Sequence, residues 1–159
     1  MIIKKIKKNR GFVILFAVML SSIILSIALG VASIALKEVK FGTSAKFTNE
    51  AFFAADTGIE CALMNDKFSN SSFVSSGSGT IQCLGNTITL NGSFPSWNFT
   101  VTGLGSSGEA CAKVSVFKDD TTSPPSILTT TISKGYNTGY ASCSSSNADR
   151  LERELKISY

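Results

Sequence analysis

Histidine is absent from this chain of 159 residues. Its absence excludes a Ser–His–Asp triad, histidine-ligated zinc and histidine acid–base chemistry within the chain. The sequence also lacks a Gly-rich phosphate-binding motif and a paired-carboxylate motif of the kind that acid–base catalysis uses. We therefore predict a protein that is not an enzyme, with no catalytic residues, no metal site and no cofactor.

Adjacent acidic residues are scarce, and Asp119 and Asp120 form the one such pair in the sequence. Calcium binds several oxygen ligands at once, and two neighbouring carboxylates supply only part of such a set. We interpret the pair as part of a solvated loop, and a calcium site remains the alternative.

Charge is concentrated at the N-terminus. The chain has 15 basic and 11 acidic residues, and five of the basic ones precede residue 11, namely Lys4, Lys5, Lys7, Lys8 and Arg10. The remaining 10 basic residues nearly balance the acidic ones. A nucleic-acid footprint needs clustered lysine and arginine on the domain itself, so no nucleic-acid partner is predicted.

Proline is absent before Pro95, and residues Phe12–Leu36 are 25 consecutive residues without a charge. At about 1.5 Å per residue, such a helix is long enough to cross a hydrocarbon core of about 30 Å. The basic residues before it predict a cytoplasmic N-terminus and an extracytoplasmic C-terminal domain. A cleaved signal peptide, cut near Ala32–Ala35, and a plain single-pass anchor remain alternatives.

The helix is predicted to continue to about Phe68, because no proline interrupts it. An apolar stripe at helical spacing runs through Ala45, Thr48, Phe52, Ala55, Ile59 and Ala62. We predict that residues 37–68 lay this stripe on a sheet, with Phe52 and Ile59 in the core of the domain.

The four cysteines, Cys61, Cys83, Cys111 and Cys143, contain no CxxC pair. Their even number behind a membrane segment predicts two disulfides in an oxidising compartment, and four buried free thiols are the alternative. Cys61–Cys83 with Cys111–Cys143 is favoured among three pairings because both loops close locally.

Residues 69–159 are predicted to form an extracytoplasmic β-domain. Ser69–Thr80 resembles a flexible loop, and Asp119–Ser126 is predicted as the loop of a long hairpin. The predicted strands are Thr87–Leu90, Asn98–Thr102, Ala110–Phe117, Ile127–Ser133 and Arg150–Tyr159. The fold class is therefore α+β, a long N-terminal helix packed on a small antiparallel sheet. N-glycosylation sequons (Asn-x-Ser/Thr) occur at Asn70, Asn91 and Asn98. Such sequons arise easily by chance in a chain this rich in Asn, Ser and Thr.

The junction Lys7-Lys8-Asn9-Arg10-Gly11-Phe12 resembles the leader of type IV prepilins. In that family a prepilin peptidase cuts after the glycine and methylates the new N-terminal phenylalanine. The resemblance implies that residues 1–11 are a prepilin leader, that Gly11 precedes the cut, and that Phe12 becomes an N-methylated first residue. Residues 12–36 are then retained as the transmembrane helix.

A second stretch, Asn49-Glu50-Ala51-Phe52-Phe53-Ala54-Ala55-Asp56-Thr57-Gly58-Ile59-Glu60, is similar to the segment after the membrane helix in PilX-like minor pilins and K-type secretion pseudopilins. Both motifs together cover about residues 5–63. Most pilins carry a glutamate as the fifth mature residue, whereas this chain has Phe16 there. The departure is shared with K-type pseudopilins and favours a minor or tip subunit.

The resemblance implies a pilin-like structural subunit of a type IV pilus, a type II secretion filament or a DNA-uptake filament. Its expected partners are other pilin or pseudopilin subunits and the prepilin peptidase. It is expected in the inner (cytoplasmic) membrane, crossing once with its C-terminal domain outside, and in an assembled surface filament. The alternative is a membrane-anchored, adhesin-like binding domain that uses the loops Ser69–Thr80 and Asp119–Ser126.

Overall fold

The computed structural model describes residues 10–67, 71–74, 79–119 and 127–159. Within these ranges, an N-terminal helix is followed by antiparallel strands and one short 3-10 turn, which confirms the predicted α+β class. The elements are α1 (Arg10–Lys67), β1 (Thr80–Cys83), β2 (Asn86–Thr89), β3 (Asn91–Ser93), β4 (Ser96–Leu104), β5 (Ala110–Asp119), β6 (Leu128–Tyr136), the 3-10 turn (Tyr140–Ser142) and β7 (Glu152–Ser158).

The chain divides into two compact units, Met1–Thr43 and Ser44–Tyr159. Helix α1 passes through this boundary without a break, as the lack of proline predicts. It ends at Lys67, and Phe68, the predicted last residue, lies outside the described part of the chain. The helical residues from Ser44 onward therefore belong to the same unit as the strands.

The strands of the second unit form two antiparallel sheets. Strands β3, β4, β5, β6 and β7 lie side by side in sequence order, and β1 pairs with β2 in a separate hairpin. Each strand thus pairs with a neighbour in sequence, which short connections allow. The predicted hairpin between Ala110–Phe117 and Ile127–Ser133 is present, since Asp119 of β5 pairs with Leu128 of β6.

The predicted strands are found, with shifted ends, and two others were missed. Strand β1 begins at Thr80, so the predicted loop Ser69–Thr80 is wrong at its C-terminal end. Residues 69, 70 and 75–78 of that loop lie outside the described residues. Strand β3 was also missed, because its three residues Asn91–Ser93 are exposed and carry no apolar alternation.

The core of the domain is built by the inner faces of β4 and β5. Trp97, Phe99 and Val101 alternate with exposed or half-buried residues on β4, as a half-buried antiparallel strand requires. Phe73 closes the core, with its ring centroid 5.7 Å from that of Trp97 and 6.4 Å from that of Phe99. Burying each such side chain contributes about 1.5–3 kcal/mol.

Strand β6 reverses the usual polarity of a half-buried strand. From Thr129 to Gly135 its buried positions alternate and are all small or polar, namely Thr129, Thr131, Ser133 and Gly135; Tyr136, at the end of the strand, is buried as well. Ile132, which is larger and apolar, lies on the opposite, outer face of the sheet and is half-buried. The small residues leave room for α1, as the contacts described below show.

Candidate functional site

The N-terminal unit presents an apolar helix surface that its own residues leave uncovered. Among the described residues, one helix is long and apolar enough to cross a membrane by its length and composition. Between Phe12 and Phe41 its large apolar side chains are 50–77% exposed. Patches of this extent on soluble monomers are uncommon, so the surface fits a lipid or protein environment.

Three serines in this surface satisfy their hydroxyls within the helix. The hydroxyl of Ser21 donates to the carbonyl of Val18 at 3.0 Å, and that of Ser22 donates to Met19 at 2.8 Å. Ser26 donates to the carbonyl of Ser22 at 2.8 Å. Because no water is available in hydrocarbon, such internal bonds lower the cost of placing these hydroxyls there.

Small residues of α1 face the sheet in the second unit. Ala51, Ala54, Ala55 and Ala62 are buried, and Gly58 is buried between them. A side chain at Gly58 would meet Ser133 and lie 2.7 Å from Cγ2 of Val114. The helix and the sheet therefore approach closely because the residues between them are small.

The prediction that Phe52 belongs to the core is wrong, whereas Ile59 is buried as predicted. Phe52 is 43% exposed and Phe53 is 63% exposed, and their rings form an edge-to-face pair with centroids 5.9 Å apart. The close approach of the sheet at Gly58 leaves no room for a benzyl group on the buried face. The two rings, which we call the aromatic pair, are therefore available for contacts outside the chain.

The last turn of α1 is joined to the sheet by a part-buried ionic cluster, Asp66, Lys118, Ser71 and Tyr159. Lys118 donates to Asp66 Oδ1 at 2.6 Å, and Ser71 donates to the same oxygen at 2.6 Å. The phenol of Tyr159 donates to Asp66 Oδ2 at 3.1 Å. The carboxylate thus receives three hydrogen bonds, which suit its ionised form.

These contacts shift two pKa values in opposite directions. Burial raises the pKa of Asp66, but the hydrogen bonds from Lys118 and Ser71 outweigh it, so the pKa is lowered overall. Burial, together with the negative charge of Asp66, raises the pKa of Tyr159 to about 12. Both shifts favour a charged Asp66 beside a neutral Tyr159 at neutral pH.

A second attachment joins α1 to the β1–β2 hairpin. Cys61 is disulfide-bonded to Cys83, with Cα atoms 5.4 Å apart. One turn later, the amide of Asn65 donates to the carbonyl of Gln82 at 2.8 Å and accepts from the Gln82 backbone N–H at 3.1 Å. Asn65 therefore pairs with the hairpin as a neighbouring strand would.

The C-terminal loop is closed by the other disulfide, Cys111–Cys143, with Cα atoms 5.6 Å apart. Both disulfides follow the pairing that the sequence analysis favours. The guanidinium of Arg150 lies over the ring of Tyr136 at 3.8 Å and donates to the carbonyl of Cys143 at 3.1 Å. The segment before β7 is therefore held by one covalent and several polar contacts.

Sequence-predicted site residues fall into separate groups. Gly11 and Phe12 lie in the first turn of α1, and Phe16 lies one turn further, 58% exposed. The four cysteines lie in the second unit, as two disulfides. Sequence reasoning missed the ionic cluster, because residues 66, 118 and 159 are far apart in sequence and no local pattern connects them.

Nothing in the described part of the chain groups three or more His, Cys, Asp or Glu side chains as a metal site would. Asp120, half of the alternative calcium site, lies outside that part, as do Asn70 and most of the loop Asp119–Ser126. Comparisons with protein-family models, curated proteins and solved structures found no match to this chain.

Proposed function

We propose that this protein is a minor pilin or pseudopilin, a structural subunit of a type IV pilus, a type II secretion filament or a DNA-uptake filament. One observation supports the proposal most strongly. Up to about residue 43, helix α1 is apolar and uncovered. Beyond that point the same helix carries small residues that pack on an antiparallel sheet. A subunit that must leave a bilayer for a helical filament core needs both properties in a continuous helix.

The basic residues before Phe12 would hold the N-terminus in the cytoplasm and place the domain outside. Prepilin peptidase would then cut between Gly11 and Phe12 and methylate the new amine, leaving the helix in the inner membrane. In the filament, contacts between neighbouring helices would replace contacts with lipid, so that extraction costs little. The internally bonded serines would need no new partner in either environment.

Phe16 supports a minor or tip position. A carboxylate at this depth would be costly in lipid and is normally retained for a partner charge. With phenylalanine in its place, a neighbouring N-terminal amine has no acid to pair with. The subunit would therefore prime assembly or end the filament, and the two disulfides would keep its domain folded outside the cell.

N-terminal processing tests the proposal. The protein is co-expressed with a prepilin peptidase, and its intact mass and N-terminus are measured. We expect a chain that begins at N-methylated Phe12 and lacks the eleven residues Met1–Gly11. Gly11→Leu should block the cut and leave the longer chain in the membrane. Gly30→Leu is the matched control, because a Cβ there lies more than 4 Å from every atom outside the adjoining helix backbone, and it should be processed normally.

Two outcomes would contradict the proposal. A wild-type protein that keeps Met1–Gly11 despite an active peptidase would be a single-pass anchor, as the adhesin-like alternative requires. A chain released by a cut near Ala35 would be a secreted domain.

A further inference from the structure

We propose that the outer face of the five-stranded sheet binds an acidic saccharide, a carboxylated sugar of the uronic-acid type. This goes beyond the proposed function, since the site lies on the strands of the domain and does not depend on assembly. The site is an open pocket of about 290 Å³ over β3, β4, β5 and β6. The lining residues that bear on binding are Asn91, Asn98, Thr100, Lys113, Ser115, Ile132 and Lys134.

The charge of the pocket is uneven in a way that favours an anion. Lys113 and Lys134 lie directly opposite each other on β5 and β6, an arrangement that repels. Lys134 is neutralised by Glu152 at 3.2 Å and Glu154 at 3.4 Å. Among the described residues, no carboxylate lies within ion-pair distance of Lys113, and none lines the pocket.

The polar groups beside Lys113 suit a ligand that carries hydroxyls. The hydroxyl of Ser115 donates to Asn98 Oδ1 at 2.7 Å, which fixes the orientation of that amide. Its NH₂ group has no partner among the described residues and is left to donate to a ligand. Thr100, opposite Lys113, and Asn91, opposite Asn98, add groups that both donate and accept.

Ile132 supplies the apolar contact that a sugar ring needs. It is directly opposite Ser115 and lies on the outer face, where a polar residue would be expected. Ligand pockets combine an apolar surface with a few placed polar groups, and this one has the size of the smallest of them. A nucleic acid is a poorer fit, because two lysines are far fewer than a phosphate backbone requires.

Titration of the full-length protein in a zwitterionic, sugar-free detergent tests the site. The probes are digalacturonate, a neutral galactose disaccharide and inorganic phosphate. Binding of each is followed by the amide chemical shifts of the protein. We expect digalacturonate to shift Asn98, Lys113 and Ser115, and to bind more weakly as salt is raised. The neutral disaccharide should bind about tenfold more weakly, the value of one charge-assisted hydrogen bond.

Two pocket variants sharpen the test. Lys113→Gln should weaken digalacturonate about tenfold, and Lys113→Arg should retain binding. Asn98→Asp keeps the acceptor for Ser115 but adds a negative charge, so it should weaken digalacturonate more than the neutral disaccharide. The controls are Lys46→Gln, on an exposed lysine of α1, and Asn147→Asp, on an exposed loop.

Four results would overturn the proposal. These are the absence of shifts with digalacturonate, equal binding of the neutral disaccharide, equal binding of phosphate, and control variants that weaken binding as much as the pocket variants.

Discussion

Asp66 Oδ1 and Lys118 Nζ lie 2.6 Å apart, and this ion pair joins the last turn of α1 to the end of β5. Both side chains are nearly buried, at 7% and 12% exposure, so neither charge is well solvated without the other. The pair therefore couples the stability of the helix end to that of the sheet, and it should be visible in the pH dependence of unfolding.

The first prediction concerns Asp66. Because its pKa is lower in the folded than in the unfolded protein, the unfolded state takes up a proton first as the pH falls. The stabilisation is complete above the unfolded pKa of about 3.9 and is lost as the pH falls through the folded pKa. Asp66→Asn should lose much of this acid dependence. It should also destabilise the domain by about 3 kcal/mol at neutral pH, since Lys118 is left unpaired.

Urea unfolding of the full-length protein in detergent, followed by fluorescence, measures both effects. Trp97 is the one tryptophan of the chain and is fully buried, so it reports on the domain. The control is Asp149→Asn, on an exposed loop residue, which should behave like the wild type. Equal acid dependence in Asp66→Asn and the wild type would contradict the prediction.

A second prediction concerns Gly135 of β6. A side chain there would collide with the carbonyl oxygen of Ala51 and the amide nitrogen of Ala55, both backbone atoms that cannot rotate away. Gly135→Ala should therefore lower the free energy of unfolding by at least about 1–3 kcal/mol, the usual cost of overpacking.

The matched control is Gly42→Ala, because no atom lies within 4 Å of a side chain at that position. The same fluorescence-detected urea unfolding should show no loss of stability for Gly42→Ala, because alanine is the better helix former. If Gly135→Ala were as stable as the wild type, the close contact between α1 and β6 would be absent in solution.

The contact of Gly135 with α1 is a feature that local sequence patterns do not predict, whereas other parts of the fold follow from such patterns. The long apolar helix, its unbroken continuation and most strands follow from local patterns of hydropathy and turn residues, and the structure has them. The buried face of α1 does not follow from such a pattern. A stripe through Phe52 and a stripe through Ala51 and Ala54 both have helical spacing, so the sequence alone does not say which of them is buried. The stripe with the small residues is buried because the sheet comes so close to the helix.

The inward and outward faces of strand β6 likewise do not follow from its local sequence. A sequence-based prediction would turn Ile132 inward and Thr131 outward, whereas the structure has the reverse. Small residues are needed opposite α1, and that need comes from residues about 80 positions earlier in the chain. The ionic cluster and the outer pocket were missed for the same reason, since each joins side chains that only the tertiary fold brings together.

The last prediction follows from the proposed function and concerns Phe16. Expressed with the peptidase but without other pilins, the protein should remain in the membrane and form no filaments, because Phe16 offers no carboxylate to a neighbouring amine. Phe16→Glu restores that acid at the fifth mature position. It should raise incorporation into filaments when other pilin subunits are supplied, because the acid and amine charges would then compensate each other in an apolar surrounding.

Electron microscopy and immunoblots of sheared filaments measure the outcome. Leu20→Glu is the matched control, since it places the same acid one turn further along the exposed helix surface, where no amine is expected. It should lower incorporation, because its charge would remain unpaired in the helix core of the filament. Abundant filaments of the wild-type protein alone would contradict the prediction. So would a Phe16→Glu variant that assembles no better than Leu20→Glu, because the position of the acid would then be irrelevant to assembly.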